Sequence, residues 1–155
     1  MLHAVVAAVT HPDHVCGRTD RRRQPADIPS ASYRFSRRPQ LLDSADTGER
    51  VTPVLDFPSR DGLAVQAIRV DYEPGGFTRG THRHPAGAYV YVIEGSVIFG
   101  LDDREPVMLK AGESFYEPPG ALHSVSRNDS EDLPASLIAF FVLGEGECAT
   151  VHERD

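Results

Sequence analysis

The feature that most constrains the fold is a succession of short β-type segments that runs from about residue 32 to the end of the chain. The clearest are LAVQAIRVDY (63–72), AYVYVIEG (88–95) and ASLIAFFVLGEG (135–146), which are rich in β-branched and aromatic residues. Glycine and proline turns such as EPGG separate them. No amphipathic helix of about twelve residues or more is recognisable. The pattern predicts an all-β sandwich or a small closed barrel.

Length and composition narrow the classes of protein. The 155 residues are enough for one domain with one core, and 40% hydrophobic with 25% charged residues is typical of a globular protein. No apolar run approaches the roughly 20 residues of a membrane-spanning helix, so no membrane partner is expected. The net charge of −7 argues against a nucleic-acid partner.

The first thirty residues differ from the rest because they show no sustained strand or helix period. We interpret residues 1–30 as a flexible leader and residues 31–155 as the barrel domain. His11, His14 and Cys16 in the leader lack a fourth ligand and a fixed scaffold, so we do not assign a metal site there.

The cellular location is predicted from two features of the sequence. The apolar start of the chain lacks the basic region and the cleavage site of a secretory signal. The two cysteines, Cys16 and Cys148, are too few for a disulfide framework. A cytoplasmic location is therefore expected.

Two histidines, His82 and His84, precede the segment at 88–95 and are separated by one residue. Alternate residues of a strand share a face, so their Cβ atoms would lie roughly 7 Å apart on one side. Both imidazoles can then bind one ion with bonds of roughly 2.0–2.1 Å. Taken alone, such a pair beside a turn is more often a surface feature. A metal site needs a third ligand, and His123, after the rigid turn EPPG, is the best candidate.

The spacing around the first two histidines resembles the first motif of the cupin family. That motif reads Gly, five residues, His-x-His, three or four residues, Glu, six residues, Gly. Gly76, His82, His84 and Gly95 occupy the corresponding positions here.

The spacing around the third histidine resembles the second cupin motif, which reads Gly, five residues, Pro-x-Gly, two residues, His, three residues, Asn. Gly112, Pro118, Gly120 and His123 match it, and Asn128 is displaced by one position. The resemblance covers roughly residues 63–143. It implies a double-stranded β-helix, or jelly-roll barrel, with a metal bound inside by His82, His84 and His123.

One departure from the family pattern affects the expected chemistry. Ala88, followed by Tyr89, stands where the first motif has its glutamate ligand. The resemblance therefore implies three neutral ligands, which favour an anionic or enolisable substrate that brings its own charge. Open positions would remain for a bidentate substrate and dioxygen. Iron(II) is the favoured ion, and zinc, manganese, nickel and copper are alternatives; a tetrahedral zinc would carry a water of pKa near 7.

Glu117 is the candidate catalytic residue, and the sequence leaves three roles open for it. It lies six residues before His123, but the intervening turn prevents a prediction of which face it occupies. It is a fourth ligand, a base that orients a ligating imidazole, or a surface residue. The pattern is similar to that of acetylacetone-cleaving dioxygenases, which are three-histidine cupins.

The strand that begins at Ala88 has two distinct faces. Val90 and Val92 are expected on the ligand side as an apolar wall. Tyr89, Tyr91 and Ile93 are expected on the other side, against a second sheet or a partner subunit. This aromatic face, together with the family resemblance, predicts a homodimer. Core positions are expected for a set of phenylalanines: Phe99, Phe115, Phe140 and Phe141.

These features favour a metal-dependent enzyme that acts on a small molecule, with a non-haem iron dioxygenase as the leading hypothesis. In that scheme Glu117, if it lines the pocket, removes the proton that makes the substrate an enolate. The first alternative is a non-redox isomerase, cyclase or lyase in which the metal polarises a carbonyl. The second is a cupin that binds a ligand without catalysis.

Overall fold

The computed structural model of the chain describes residues 42–44, 46–57 and 62–153. The predicted leader, residues 1–30, and the start of the predicted β-type region at about residue 32 lie outside this part. All regular elements within it are β-strands, in two antiparallel sheets. Within the same residues, no helix is long and apolar enough to cross a bilayer. The all-β fold class is confirmed.

The strands of each sheet are given in chain order. Those of the first sheet are β1 (Leu42–Ser44), β2 (Glu49–Phe57), β3 (Leu63–Tyr72), β5 (Ala88–Glu94), β8 (Ser114–Glu117) and β10 (Ala135–Gly144). Those of the second sheet are β4 (His82–Arg83), β6 (Ser96–Leu101), β7 (Val107–Lys110), β9 (Leu122–Asn128) and β11 (Val151–His152).

The order of the strands is that of a jelly roll. In the first sheet the order is β1-β2-β3-β10-β5-β8, and in the second it is β11-β4-β9-β6-β7. Strands far apart in sequence therefore lie side by side, as when β10 pairs with both β3 and β5. The predicted barrel is confirmed, and the second-sheet neighbours β4 and β9 carry two of the three candidate histidines.

The core lies between the two sheets. Val90 and Val92 are 3% and 0% exposed, so the predicted apolar wall on β5 faces inward. The residues that fill the core share this inward direction: Tyr72, Val97, Phe99, Leu137 and Phe141 are all buried. Phe115 packs against the same cluster.

The core position predicted for Phe140 is wrong, since its side chain is 37% exposed on the outside of the first sheet. Ala139 and Phe141 on either side of it point inward, and the alternation of a strand then requires Phe140 to point outward. The run of consecutive apolar residues in β10 conceals this parity in the sequence.

The outer aromatic face, which we define as Tyr89, Tyr91, Tyr116 and Phe140, covers adjacent strands of the first sheet. Each of the four side chains is between 37% and 55% exposed. Tyr89 is paired with both Tyr116 and Phe140, and the two tyrosine rings lie 4.9 Å apart. The predicted outward direction of Tyr89 and Tyr91 is thus observed. Contiguous apolar surface of this kind is typical of an interaction site.

The homodimer predicted from the sequence would bury the outer aromatic face. Replacing Tyr91 with arginine places a charge within that face, and we expect the dimer to become a monomer at micromolar concentration, as measured by light scattering after size exclusion. Met108→Arg, at a 50% exposed apolar position on β7 of the other sheet, should leave the dimer intact. A monomeric wild-type protein would contradict the prediction.

Candidate metal centre

Three histidines from the two motifs meet inside the barrel. His82 on β4 lies directly opposite His123 on β9, and His84 follows the end of β4. One ligand atom from each of the three rings lies within 4.8 Å of the others. All three side chains are buried, with exposures of 7% or less. The structure therefore brings together the residues that the sequence indicated as ligands.

The separation of the ring nitrogens fits a shared ion. Bonds of roughly 2.0–2.1 Å place neighbouring ligand atoms of an octahedral or tetrahedral ion roughly 2.9–3.4 Å apart. The Nε2 atom of His82 and the Nδ1 atom of His123 are 3.2 Å apart. The donor set and its spacing fit a divalent transition-metal ion.

Burial keeps the three imidazoles in the form that binds metals. Loss of hydration, together with the neighbouring histidines, lowers the pKa of His82 to about 2. The same two causes lower the pKa of His123 to about 4. The pKa of His84 is also lowered, mainly by burial. Neutral rings with free lone pairs are therefore present at pH 7.

The orientation of His84 is set by a backbone carbonyl from the C-terminal region. The Nδ1 atom of His84 lies 2.7 Å from the carbonyl oxygen of Ala149. Because a carbonyl only accepts, Nδ1 must carry the proton, which leaves the lone pair of Nε2 for a metal. Sequence reasoning missed Ala149, since a main-chain acceptor has no side-chain signature.

Apolar rings hold the imidazoles in place. The ring of Phe99 stacks on His123 with centroids 5.1 Å apart and planes at 15°. The ring of Phe141 lies 5.0 Å from that of His84. These contacts restrict the imidazoles to a narrow range of orientations, as a site with fixed ligand geometry requires.

Hydrogen bonds at His84 connect the loops of the two motifs. The amides of Gly87 and Gly120 both donate to the carbonyl of His84, at 2.9 Å each. Gly87 has φ +79°, and a Cβ there would lie 2.6 Å from the carbonyl oxygen of Glu117. Only glycine allows this close approach, which brings the start of β5 against the end of β8.

Glu117 lies at the centre and faces the histidines. It is paired directly with Ala88 across β5 and β8, and it is 2% exposed. Its Oε2 atom is 3.4 Å from Nδ1 of His123 and 3.7 Å from Nε2 of His84. Burial raises the pKa of the Glu117 carboxyl to about 7. The surface role is therefore excluded, and a ligand or a base remains.

A β-bulge explains the displaced asparagine of the second motif. Gly100 on β6 pairs with Val125, but Leu101 pairs with His123, so β9 contains one extra residue between them. Asn128 is consequently one position later in the sequence and still points inward, with 1% exposure. Its side-chain amide donates to two backbone carbonyls at 3.0 and 2.8 Å, which gives it a structural role.

The fold and the site together define a barrel protein with an internal histidine centre. A family model described as a cupin domain matches residues 68–143, a segment that includes all three histidines and Glu117. The chain belongs to the cupin superfamily.

Curated relatives are plant proteins of greater length. Germin-like protein subfamily 2 member 1 of Arabidopsis thaliana is 38% identical over 93 residues, which cover 57% of this chain and 41% of the plant protein. Nectarin-1 of Nicotiana plumbaginifolia is 33% identical over 101 residues, which cover 61% of this chain and 43% of nectarin-1. The chain thus spans less than half the length of these two relatives.

Solved structures with the same fold include an enzyme. Oxalate oxidase in complex with the substrate analogue glycolate superposes with a TM-score of 0.57 and 27% identity, covering 70% of this chain and 57% of the oxidase. An RmlC-like cupin from Shewanella frigidimarina superposes with a TM-score of 0.53 and 21% identity, and the match covers 73% of this chain and 91% of the Shewanella protein. The second likeness concerns the fold alone.

Proposed function

We propose that this cupin is a metal-dependent enzyme that uses dioxygen to oxidise a small-molecule substrate. The substrate binds to the metal ion through two of its own oxygen atoms. The observation that carries the proposal is the cluster of His82, His84 and His123 inside the barrel. The carboxylate of Glu117 lies within 3.7 Å of ring nitrogens of two of these histidines. The 27% identity to an oxalate oxidase, solved with a substrate analogue, supports oxidative chemistry on a small acid.

Within this proposal Glu117 supplies the carboxylate that the first motif lacks at Ala88. Its Oε2 atom lies 3.4 Å from Nδ1 of His123, within the range given above for neighbouring ligand atoms, and 3.7 Å from Nε2 of His84. Among the described residues, Oε2 has no hydrogen-bond partner. A buried acceptor aimed at the ligand nitrogens supports the role of a fourth ligand. The alternative role of Glu117 as a base stays a prediction from the sequence.

The charge of the site indicates the class of substrate. One carboxylate and three neutral imidazoles leave a net charge of about +1 around a divalent ion, which favours a substrate anion. At least two of the six octahedral positions remain for substrate oxygens. Diketonates, catecholates and small carboxylates meet both requirements. Phe99, which stacks on His123, and the buried side chains of Val90 and Val92 make the interior of the barrel apolar.

Iron(II) is the ion that we favour, because imidazole and carboxylate ligands with open positions are typical of non-haem iron oxygenases. When bound, it supplies the capacity to transfer electrons to dioxygen. The residues of the chain hold the ion, exclude water and orient the substrate. Manganese also accepts this donor set, and zinc would favour the non-redox alternative.

The proposal is tested by oxygen consumption. Protein loaded anaerobically with iron(II) is mixed with a panel of β-diketones, catechols and small hydroxy acids in the chamber of an oxygen electrode. We expect uptake with at least one compound, and none with the His82→Ala variant carried through the same loading. No uptake across the panel would overturn the proposal. Turnover by zinc-loaded protein without oxygen would instead support an isomerase, cyclase or lyase.

A further inference from the structure

A fourth histidine lies in line with two ligands of the centre. His152 on β11 is paired with His82 on β4, which in turn is paired with His123 on β9. Residues directly opposite each other in antiparallel strands project to the same face of the sheet. The three imidazoles therefore form a row across the inner face of the second sheet.

The position of His152 in this row is at the border between the interior and the solvent. β11 is the edge strand of its sheet, and His152 is exposed whereas its neighbour His82 is 7% exposed. The two ring centroids are 5.6 Å apart. No residue in the described part of the chain is hydrogen-bonded to the ring of His152. The ring of His152 is thus accessible to solvent and lies next to a ligand of the centre.

The strand that carries His152 is held against the centre at several points. The amide of Glu153 donates to the carbonyl of Thr81 at 3.1 Å, and the Glu153 carboxylate forms an ion pair with Arg83. Ala149, just before this strand, accepts the hydrogen bond from His84. The cupin family match ends at residue 143, so this C-terminal attachment lies beyond it.

We propose that His152 is a substrate-binding residue at the entrance of the metal centre, where its ring donates a hydrogen bond to an anionic oxygen of the substrate. An imidazole offers an N–H donor in either protonation state. The side chain of His152 is exposed, whereas the three ligand histidines are buried, so we place His152 outside the ligand set. The inference rests on the proposed function, because it requires an ion and a substrate at the three histidines.

Anion binding to cobalt-loaded protein tests this role without turnover. The dissociation constants of cobalt, oxalate and imidazole are measured from the visible spectrum of the bound cobalt. We expect His152→Ala to bind oxalate about tenfold more weakly, the effect of one hydrogen bond to a charged group. Its affinity for cobalt and for neutral imidazole should be unchanged. His152→Gln, which keeps an N–H donor, should restore most of the oxalate affinity.

Val151→Ala is the matched control, since Val151 precedes His152 on the same strand and projects to the opposite face. It should bind all three probes as the wild type does. Unchanged oxalate affinity in His152→Ala would overturn the inference, and so would a loss of cobalt affinity, which would make His152 a ligand or a structural residue. Cobalt and oxalate binding without oxygen uptake in the iron form would overturn the proposed dioxygen chemistry alone.

Discussion

The His123→Ala variant is expected to bind divalent ions at least about 100-fold more weakly than the wild type. Changes to residues that only orient a ligand cost about 10–100-fold in metal affinity, so the loss of a ligand should cost no less. His123 comes from the second motif, and its Nδ1 atom is 3.2 Å from Nε2 of His82 in the first. His82→Ala should therefore lower the affinity to a similar degree.

Competition with a chromogenic chelator measures these affinities, and thermal unfolding of the metal-free proteins controls for folding. Ser126→Ala is the matched control on the same strand, because Ser126 is also buried and its hydroxyl is hydrogen-bonded to Tyr72 at 2.7 Å. It should lose some stability and keep its metal. Loss of metal in only one of the two histidine variants would show that the motifs do not serve one site.

Moving the carboxylate from residue 117 to residue 88 should preserve the metal site. Ala88 and Glu117 are direct partners across β5 and β8, and such partners have Cβ atoms roughly 4.5–5.5 Å apart. We expect Glu117→Ala alone to lower metal affinity at least about tenfold, since an anionic ligand is lost. The double variant Ala88→Glu, Glu117→Ala should recover most of that loss, because the pair keeps its combined volume and its charge.

The same chelator competition measures the metal affinities of the single and double variants at residues 88 and 117. Glu113→Ala removes an exposed carboxylate from the residue before β8 and should leave the metal affinity unchanged. If Glu117→Ala and Glu117→Gln both bind metal as tightly as the wild type but lose turnover, Glu117 is a base and the ligand role is wrong. If the double variant binds no better than Glu117→Ala, the position of the carboxylate matters more than its presence.

The long strands were predictable because a run of ten β-branched, aromatic and alternating residues indicates a strand without information from the rest of the chain. The segment LAVQAIRVDY corresponds to β3 from its first residue to its last, since turn residues bound it on the C-terminal side. β4 and β11 were not recognised, because two residues are too few to establish an alternation. These two short strands exist only through pairing with β9 and with each other.

The parts of the site that escaped prediction depend on long-range contacts. The face occupied by Glu117 could not be derived, because the turn after it interrupts the alternation that leads back from His123. Its burial follows from the pairing with Ala88, which lies 29 residues earlier in the chain. The carbonyl of Ala149 and the ring of His152 come from the C-terminal segment, for which no motif gave an indication.

The most direct test of the central claim is X-ray absorption spectroscopy of the iron-loaded or cobalt-loaded wild-type protein, which counts the imidazole rings around the ion. Three imidazoles per ion, with at least one additional oxygen ligand, is the result that this arrangement of His82, His84, His123 and Glu117 predicts. One imidazole or none per ion would contradict it.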